Sequence, residues 1–437
     1  MIRSLFSRTD SFIMFLSVLL VMMMMVRWTE AGYTGTVLSH TSKDVQGSSF
    51  TVVRRFKLSF TSCGEIESWW CCTKKIDESS GEWCLKEYTD KITSWSFEYY
   101  WNWWDSRTWI NNRNSVSALR FKTTYELRKR SDINRPNSSP QTAILPLMRV
   151  PSNCQRNINL LTFDPDGDHV ECRHGSNPSI YECSTCTAPS VLSLSSSCCL
   201  SFSPTSSSYE DSYAVQLVME DFPRQTIILT HYGGTNYSWS PSSFMSQIPV
   251  QFVFKVDPAA PSCTAGEYLP RFLPPTPEHG AQFFINVNET IEINIRAEAT
   301  QSVITELLFS GPINMIKNSS GSGYFTLRWT PSVSQNDDNE SHPICFVAQA
   351  TASSSIYQSE LRCVIVRVGN TPFIATPSPP PKTSRLTVLE LKISTTLSLK
   401  DNKDKIEKAI KDELIRRGLP PDIKVRLLSD GSVKVNN

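Results

Sequence analysis

Two stretches decide the fold: Ser212-Tyr-Ala-Val-Gln-Leu-Val-Met-Glu-Asp-Phe222 and Pro249-Val-Gln-Phe-Val-Phe-Lys-Val256. The first is an apolar run closed by turn residues, with Pro223 just beyond it. The second alternates with period two, which puts Val250, Phe252, Phe254 and Val256 on one face of a strand. Segments 290–295, 325–329, 344–348 and 361–368 repeat this character. They are short, rich in β-branched and aromatic residues, and separated by Gly, Pro, Ser and Asn. None shows a helical period, so the middle of the chain reads as all-β sandwich.

Two portions match in order. Leu200-Ser-Phe-Ser-Pro204, a polar loop and Tyr213-Ala-Val-Gln-Leu217 correspond to Leu327-Arg-Trp-Thr-Pro331, a polar loop and Ile344-Cys-Phe-Val-Ala348. Each copy ends in an apolar strand, 250–256 in one and 361–368 in the other. The offset is near the ~100 residues of one immunoglobulin-like module, which predicts tandem sandwiches over 140–258 and 262–370.

Working outward, Arg3 and Arg8 precede an apolar run from Phe12 to Val26, and Thr29 and Ala31 are small residues at signal-peptidase spacing. Residues 1–31 therefore read as a cleaved signal peptide, too short in its apolar part to span a bilayer. No later segment is apolar enough to cross one. Secretory routing gives meaning to the Asn-x-Ser/Thr sequons at Asn137, Asn236, Asn288, Asn318 and Asn339; Pro140 makes the first the weakest. The chain has 43 Lys plus Arg against 42 Asp plus Glu in 437 residues, a balance that argues against a nucleic-acid partner. Thirteen cysteines fit an oxidising compartment, and the expected location is secreted or cell-surface.

Asp164-Pro-Asp166-Gly-Asp168 places three carboxylates at alternate positions around a Gly turn. They can offer hard oxygen ligands to Ca²⁺, joined by Asp221 if its strand end lies nearby; the same spacing also suits a plain polar turn. With Pro136-Asn-Ser-Ser-Pro140 and Leu160-Leu-Thr-Phe163 before it, and Trp329-Thr-Pro331 and Phe346-Val-Ala348 after it, the region resembles cadherin-like and dystroglycan-like extracellular repeats. In those an Asn/Pro linker leads to a strand ending in an Asp-rich turn. The runs 163–168, 213–223 and 341–346 also resemble multi-domain secreted proteins of fishes, a likeness that implies no activity.

Residues 32–135 read as a separate Trp/Cys-rich β domain. Eight tryptophans lie between Trp69 and Trp109. Trp101 and Trp103 share one strand face and read either as core or as a stacking platform for sugar rings. Cys63, Cys71, Cys72 and Cys84 lack zinc spacing, as does Cys183-x-x-Cys186, so disulfides are the better reading. Cys154, Cys172, Cys198 and Cys199 have no readable partners. Cys345 and Cys363 lie on neighbouring strands and are paired, leaving Cys263 open; the odd count leaves one thiol free or one bridge between chains.

Residues 371–384, with Pro377-Ser-Pro-Pro-Pro381, form a stiff spacer. Beyond it, 385–437 reads as a β-α-β unit: a strand from Leu386, a helix capped by Asp401 with Ile406, Ile410 and Leu414 on one face, and a strand over 423–428. Gly431-Ser432-Val433 resembles the self-cleaving turn of SEA domains, although only half of such a domain follows the spacer. A plain Gly-Ser hairpin turn is the simpler reading.

Catalysis finds no motif. Histidines 40, 169, 174, 231, 279 and 342 accompany no nucleophile elbow, zinc helix, phosphate loop or dinucleotide fingerprint. His169 beside Asp168 reads as a solvated turn residue. The expectation is a non-enzymatic, disulfide-bonded glycoprotein that requires no cofactor, with calcium as the one candidate ion. Its expected partners are extracellular proteins or glycans, met through adhesion and structural presentation or through lectin-like recognition by the Trp-rich domain.

Overall fold

The computed structural model describes residues 32–46, 49–67, 73–79, 82–94, 98–231, 233–335, 337–369, 403–416, 424–427 and 433–436. Its side chains are described except at 44–46, 49–50, 67, 92–94, 98–106, 405, 409 and beyond 411. The signal segment 1–31, the spacer 371–384, the strand expected from Leu386 and the pair Cys71 and Cys72 lie outside the described residues. The chain divides into a large unit ending at Pro372 and a small one from Phe373.

The large unit is mainly β, and the repeat read from the sequence reappears as a repeated topology. In the first copy, Ser246–Asp257 pairs antiparallel with Asp211–Phe222, which pairs antiparallel with His169–His174, while Leu147–Pro151 runs parallel to Ser246–Asp257. Facing that sheet are Arg156–Asn159, Cys199–Phe202 and Leu192–Leu194, joined antiparallel. In the second copy, Arg362–Val368, Ser341–Ala352 and Val303–Ser310 repeat the first sheet, with Ala281–Ile285 parallel to Arg362–Val368. Ile291–Glu298, Tyr324–Trp329 and Ile316–Gly321 repeat the second. The matched segments Leu200–Pro204 and Leu327–Pro331 each lead through a short 3₁₀ turn, at Ser207–Tyr209 or Val333–Gln335, into the long strand of the opposite sheet. Seven strands of each copy thus share one immunoglobulin/cadherin-like sandwich topology, to which the second copy adds Arg271–Leu273 and Ser355–Gln358.

The period-two pattern of 249–256 puts Val250, Phe252, Phe254 and Val256 on one face, and the structure buries most of the other face as well. Val250, Phe252, Phe254 and Val256 are buried, but so are Gln247, Gln251 and Val253. On the second face Gln251 meets Tyr33 and Arg120 of the N-terminal region, whereas Gln247 donates to Glu182 and Glu220. Residues 32–126 do not stand apart as a sheet of their own: the ladder runs from Ser246–Asp257 through Ala118–Glu126, Glu98–Trp109, Gly32–Gln46, Ser49–Phe60 and Trp83–Ser94 to Lys74–Ser79. Gly32–Gln46 also touches Ser246–Asp257 directly, at Thr36↔Gln251 and Val37↔Val250. A side chain at Gly35 would collide with the Gln251 carbonyl, so this approach requires glycine. Gln251 is satisfied: the Tyr33 hydroxyl donates to its Oε1 at 2.8 Å, and its Nε2 donates to the Arg120 carbonyl at 2.8 Å.

Aromatic packing fills this junction, with Tyr33 edge-on to Trp109 at 4.6 Å and Trp83 1% exposed. The second sandwich meets the N-terminal strands through charge pairs, buried at Arg55 and half-buried at Lys317. Arg55 donates to Glu340 at 3.0 Å and to Asp337 at 3.3 Å, and Lys317 donates to Asp77 at 3.0 Å. Disulfides join Cys63–Cys84, Cys154–Cys263, Cys172–Cys198, Cys183–Cys186 and Cys345–Cys363, and Cys199 is a free thiol.

The small unit holds the helix Lys403–Arg416, with Ile406 and Ile410 buried, and an antiparallel hairpin of Lys424–Leu427 with Val433–Asn436. Within the described residues it is therefore a helix followed by a hairpin. No described helix is long and apolar enough to cross a membrane.

Candidate functional site

The Asp-rich turn sits where Asp168 hands the chain to the strand His169–His174, whose Val170 pairs with Asp221. Asp164 shapes it: its Oδ1 accepts the amides of Asp166 at 2.9 Å and Asp168 at 3.1 Å, an Asx turn that Gly167 completes at φ +83°. This draws the carboxylates of Asp164, Asp166 and Asp168 within 4.8 Å of one another. Asp221 is fully buried beside them, held by the Ser246 amide and hydroxyl, both at 2.6 Å, and by Asn137 Nδ2 at 2.5 Å.

Sequence reasoning missed the centre of this cluster. Arg130, 1% exposed, enters from the two-residue strand Lys129–Arg130. Its Nη2 donates to Asp168 at 2.9 Å and to Asp132 at 2.7 Å, its Nε donates to Asp132 at 3.1 Å, and its Nη1 donates to Asp168 and to Asn137 Oδ1. Arg135 and the Ser138 amide occupy Asp166, at 2.5 and 2.7 Å. Nothing in the run Leu127-Arg-Lys-Arg-Ser131 separates Arg130 from its neighbours, so only its pairing with Leu229 betrays the role.

The electrostatics follow from burial. Burial, then Asp221 and the neighbouring aspartates, push the Asp164 carboxyl well above the usual range; burial likewise raises Asp221 to about 7, opposed by its bonds to Ser246 and Asn137. Burial opposes the charge on Arg130, but its bonds to Asp168 and Asp132 outweigh that and hold it protonated. Calcium requires six to eight oxygens. Both carboxylate oxygens of Asp166 and of Asp168 already accept N–H donors, so with Arg130 in place the set does not fit that ion. Only Asp164 Oδ2 among these three aspartates has no hydrogen-bond partner.

The sequons separate sharply. Asn236, Asn288, Asn318 and Asn339 are exposed, whereas Asn137 has no exposed surface and spends its amide on Asp221 and Ser246. A glycan at Asn137 would require these bonds to break. The strand Glu98–Trp109 carries Trp101 and Trp103 opposite Thr123 and Phe121; their side chains lie outside the described set.

A second concavity lies elsewhere. A cleft of about 420 Å³ is lined by Trp239, Phe244, Ser242 and Ser243 over a floor of Thr124, Tyr125 and Glu126. Arg128 stacks 5.2 Å from the Trp239 ring and donates to Glu126 at 2.8 Å, so an indole, two hydroxyls and an ion pair converge on one opening.

No family model matches the chain, and no curated protein matches it. Among solved structures it is similar to mouse protocadherin-24 EC1–3, 11% identical, covering 68% of this chain and 87% of that one with a TM-score of 0.17. Drosophila N-cadherin EC1–4 is 10% identical, covers 76% and 67%, and has a TM-score of 0.20. The sialic acid binding region of a Streptococcus sanguinis SK1 adhesin is 13% identical, covers 68% and 92%, and has a TM-score of 0.19.

Proposed function

We propose that this chain is a non-enzymatic extracellular glycoprotein that acts by adhesion or structural presentation. We read it as two sandwiches over 140–258 and 262–370, with the β region 32–135 fused to the first, the whole preceded by a signal peptide. One observation carries the reading: the buried pair Arg55–Glu340 and the half-buried pair Lys317–Asp77 clamp the second sandwich to the N-terminal strands. A platform fixed in this way loses little freedom when it binds, and such preorganisation favours recognition of a protein surface. The test is binding of the purified, multimerised glycoprotein to cells and to extracellular matrix. Saturable binding that resists deglycosylation of the target supports a protein partner. No binding to either surface removes the adhesion reading.

The cleft beside Trp239 favours a second reading, recognition of a glycan. Its volume suits a small ligand, and an indole face beside hydroxyls and a carboxylate matches the apolar face and polar rim of a sugar ring. A glycan array decides it: specific binding lost in Trp239→Ala supports this cleft, loss only in Trp101→Ala returns the site to the Trp-rich strand, and an empty array ends the lectin reading.

A further inference from the structure

A guanidinium has five N–H donors in a rigid fork. In Arg130 all five are used, on both oxygens of Asp168, both oxygens of Asp132 and the amide oxygen of Asn137. A buried cation surrounded by oxygens on several sides is what an Asp-rich corner otherwise obtains from a divalent metal. The arginine is delivered by a strand rather than by solution. That strand, Lys129–Arg130, is anchored to Leu229 and Thr230 of Ile227–Thr230, so the charge is covalently tethered and its occupancy does not depend on ion concentration.

We infer that Arg130 is the resident cation of the Asp164/Asp166/Asp168 corner, making the sandwich independent of calcium, and that removing its side chain exposes a latent divalent-cation site. Two independent features define that latent site. Asp164 Oδ2 is buried without a hydrogen-bond partner, and one oxygen from each of the three aspartates lies within 4.8 Å of the others. Without Arg130, both Asp168 oxygens lose its donors, and Asp132 and the Asn137 carbonyl are freed as well. Together these supply enough oxygens for a hard cation. Arg135 and the Ser138 amide would still hold both oxygens of Asp166, so the variant site should be weaker than a dedicated one.

The experiment uses the full secreted glycoprotein, melted in millimolar CaCl₂ and in EDTA. Wild type is expected to give the same Tm in both. Arg130→Ala is expected to melt lower in EDTA, by roughly 4 °C for a chain of this size, and to regain part of that loss in CaCl₂. The double variant Arg130→Ala with Asp164→Asn should show no recovery. If Arg130→Ala is not secreted, Arg130→Lys serves: one charge without the fork should give a folded, less stable and calcium-insensitive protein, whereas a calcium-dependent Lys variant overturns the inference. Calcium titration calorimetry on wild type gives a direct second readout. A wild-type Tm that rises with calcium and ceases to rise in Asp164→Asn shows that the corner holds the metal despite Arg130, and overturns it. An Arg130→Ala protein that calcium does not stabilise defeats the latent site.

Discussion

Arg55 and Glu340, 285 residues apart in sequence, meet at 3.0 Å between Nε and Oε2, both buried. Burial opposes the charge on Arg55, and Glu340, Glu87 and Asp337 together hold it protonated. Breaking such a pair by removing one partner leaves the other charges buried and uncompensated. Arg55→Met should therefore cost about 3 to 5 kcal/mol in urea unfolding. Adding Glu340→Gln should recover part of that loss, because one orphaned carboxylate is removed. A loss below about 1 kcal/mol would show that the second sandwich is not clamped through Arg55.

His40 and His342, both buried, act together on the acid limb. Burial first, and Arg54 second, push the His40 pKa down from 6.5 to about 3, and both its ring nitrogens lack hydrogen-bond partners. A depressed folded-state pKa means that its contribution is complete above pH 6.5. That contribution is lost progressively as pH falls from 6.5 toward 3, because the unfolded chain takes up the proton first. His40→Phe keeps an aromatic ring against Tyr125, 4.3 Å away, and should reduce the loss of stability over that window, with His342 supplying the remainder. An unchanged acid titration would show that another group controls it.

The disulfides should differ in weight. Cys154–Cys263 closes a separation of 109 residues and Cys183–Cys186 one of 3. Chain entropy assigns about 5 kcal/mol to the first and about 2 to the second. Paired Cys→Ser variants should rank in that order in thermal unfolding, and a reversed order would show that native-state interactions outweigh loop closure.

Glycan occupancy follows exposure. Peptide mapping after enzymatic deglycosylation should find Asn236, Asn288, Asn318 and Asn339 modified and Asn137 bare. Stoichiometric modification at Asn137 would mean that its bonds to Asp221 and Ser246 are not formed in the mature protein.

Much of the fold is legible in the sequence because strand formation is local. The segments chosen for alternation and β-branching fall on the strands Ile291–Glu298, Tyr324–Trp329, Ser341–Ala352 and Arg362–Val368. The internal likeness of 200–217 and 327–348 returns as one topology used twice. The Asp-rich turn is also local, since Asp164 caps the amides of Asp166 and Asp168. Its surroundings are not. Arg130 reaches Asp168 across 38 residues and Asn137 reaches Asp221 across 84, and no short-range pattern encodes either contact.

The sequence by itself determined a strand-rich chain with a duplicated sandwich, because side-chain alternation and turn chemistry act over a few residues. Tertiary structure alone decided which alternate face of 249–256 meets water. Apart from half-buried Lys255 neither does, and at Gln251 the cause is Tyr33, which reaches it from 218 residues away as the N-terminal strands extend the same sheet. It also decided what neutralises the three aspartates, since a buried carboxylate is stabilised by whichever cation the fold delivers, and here the fold delivers Arg130.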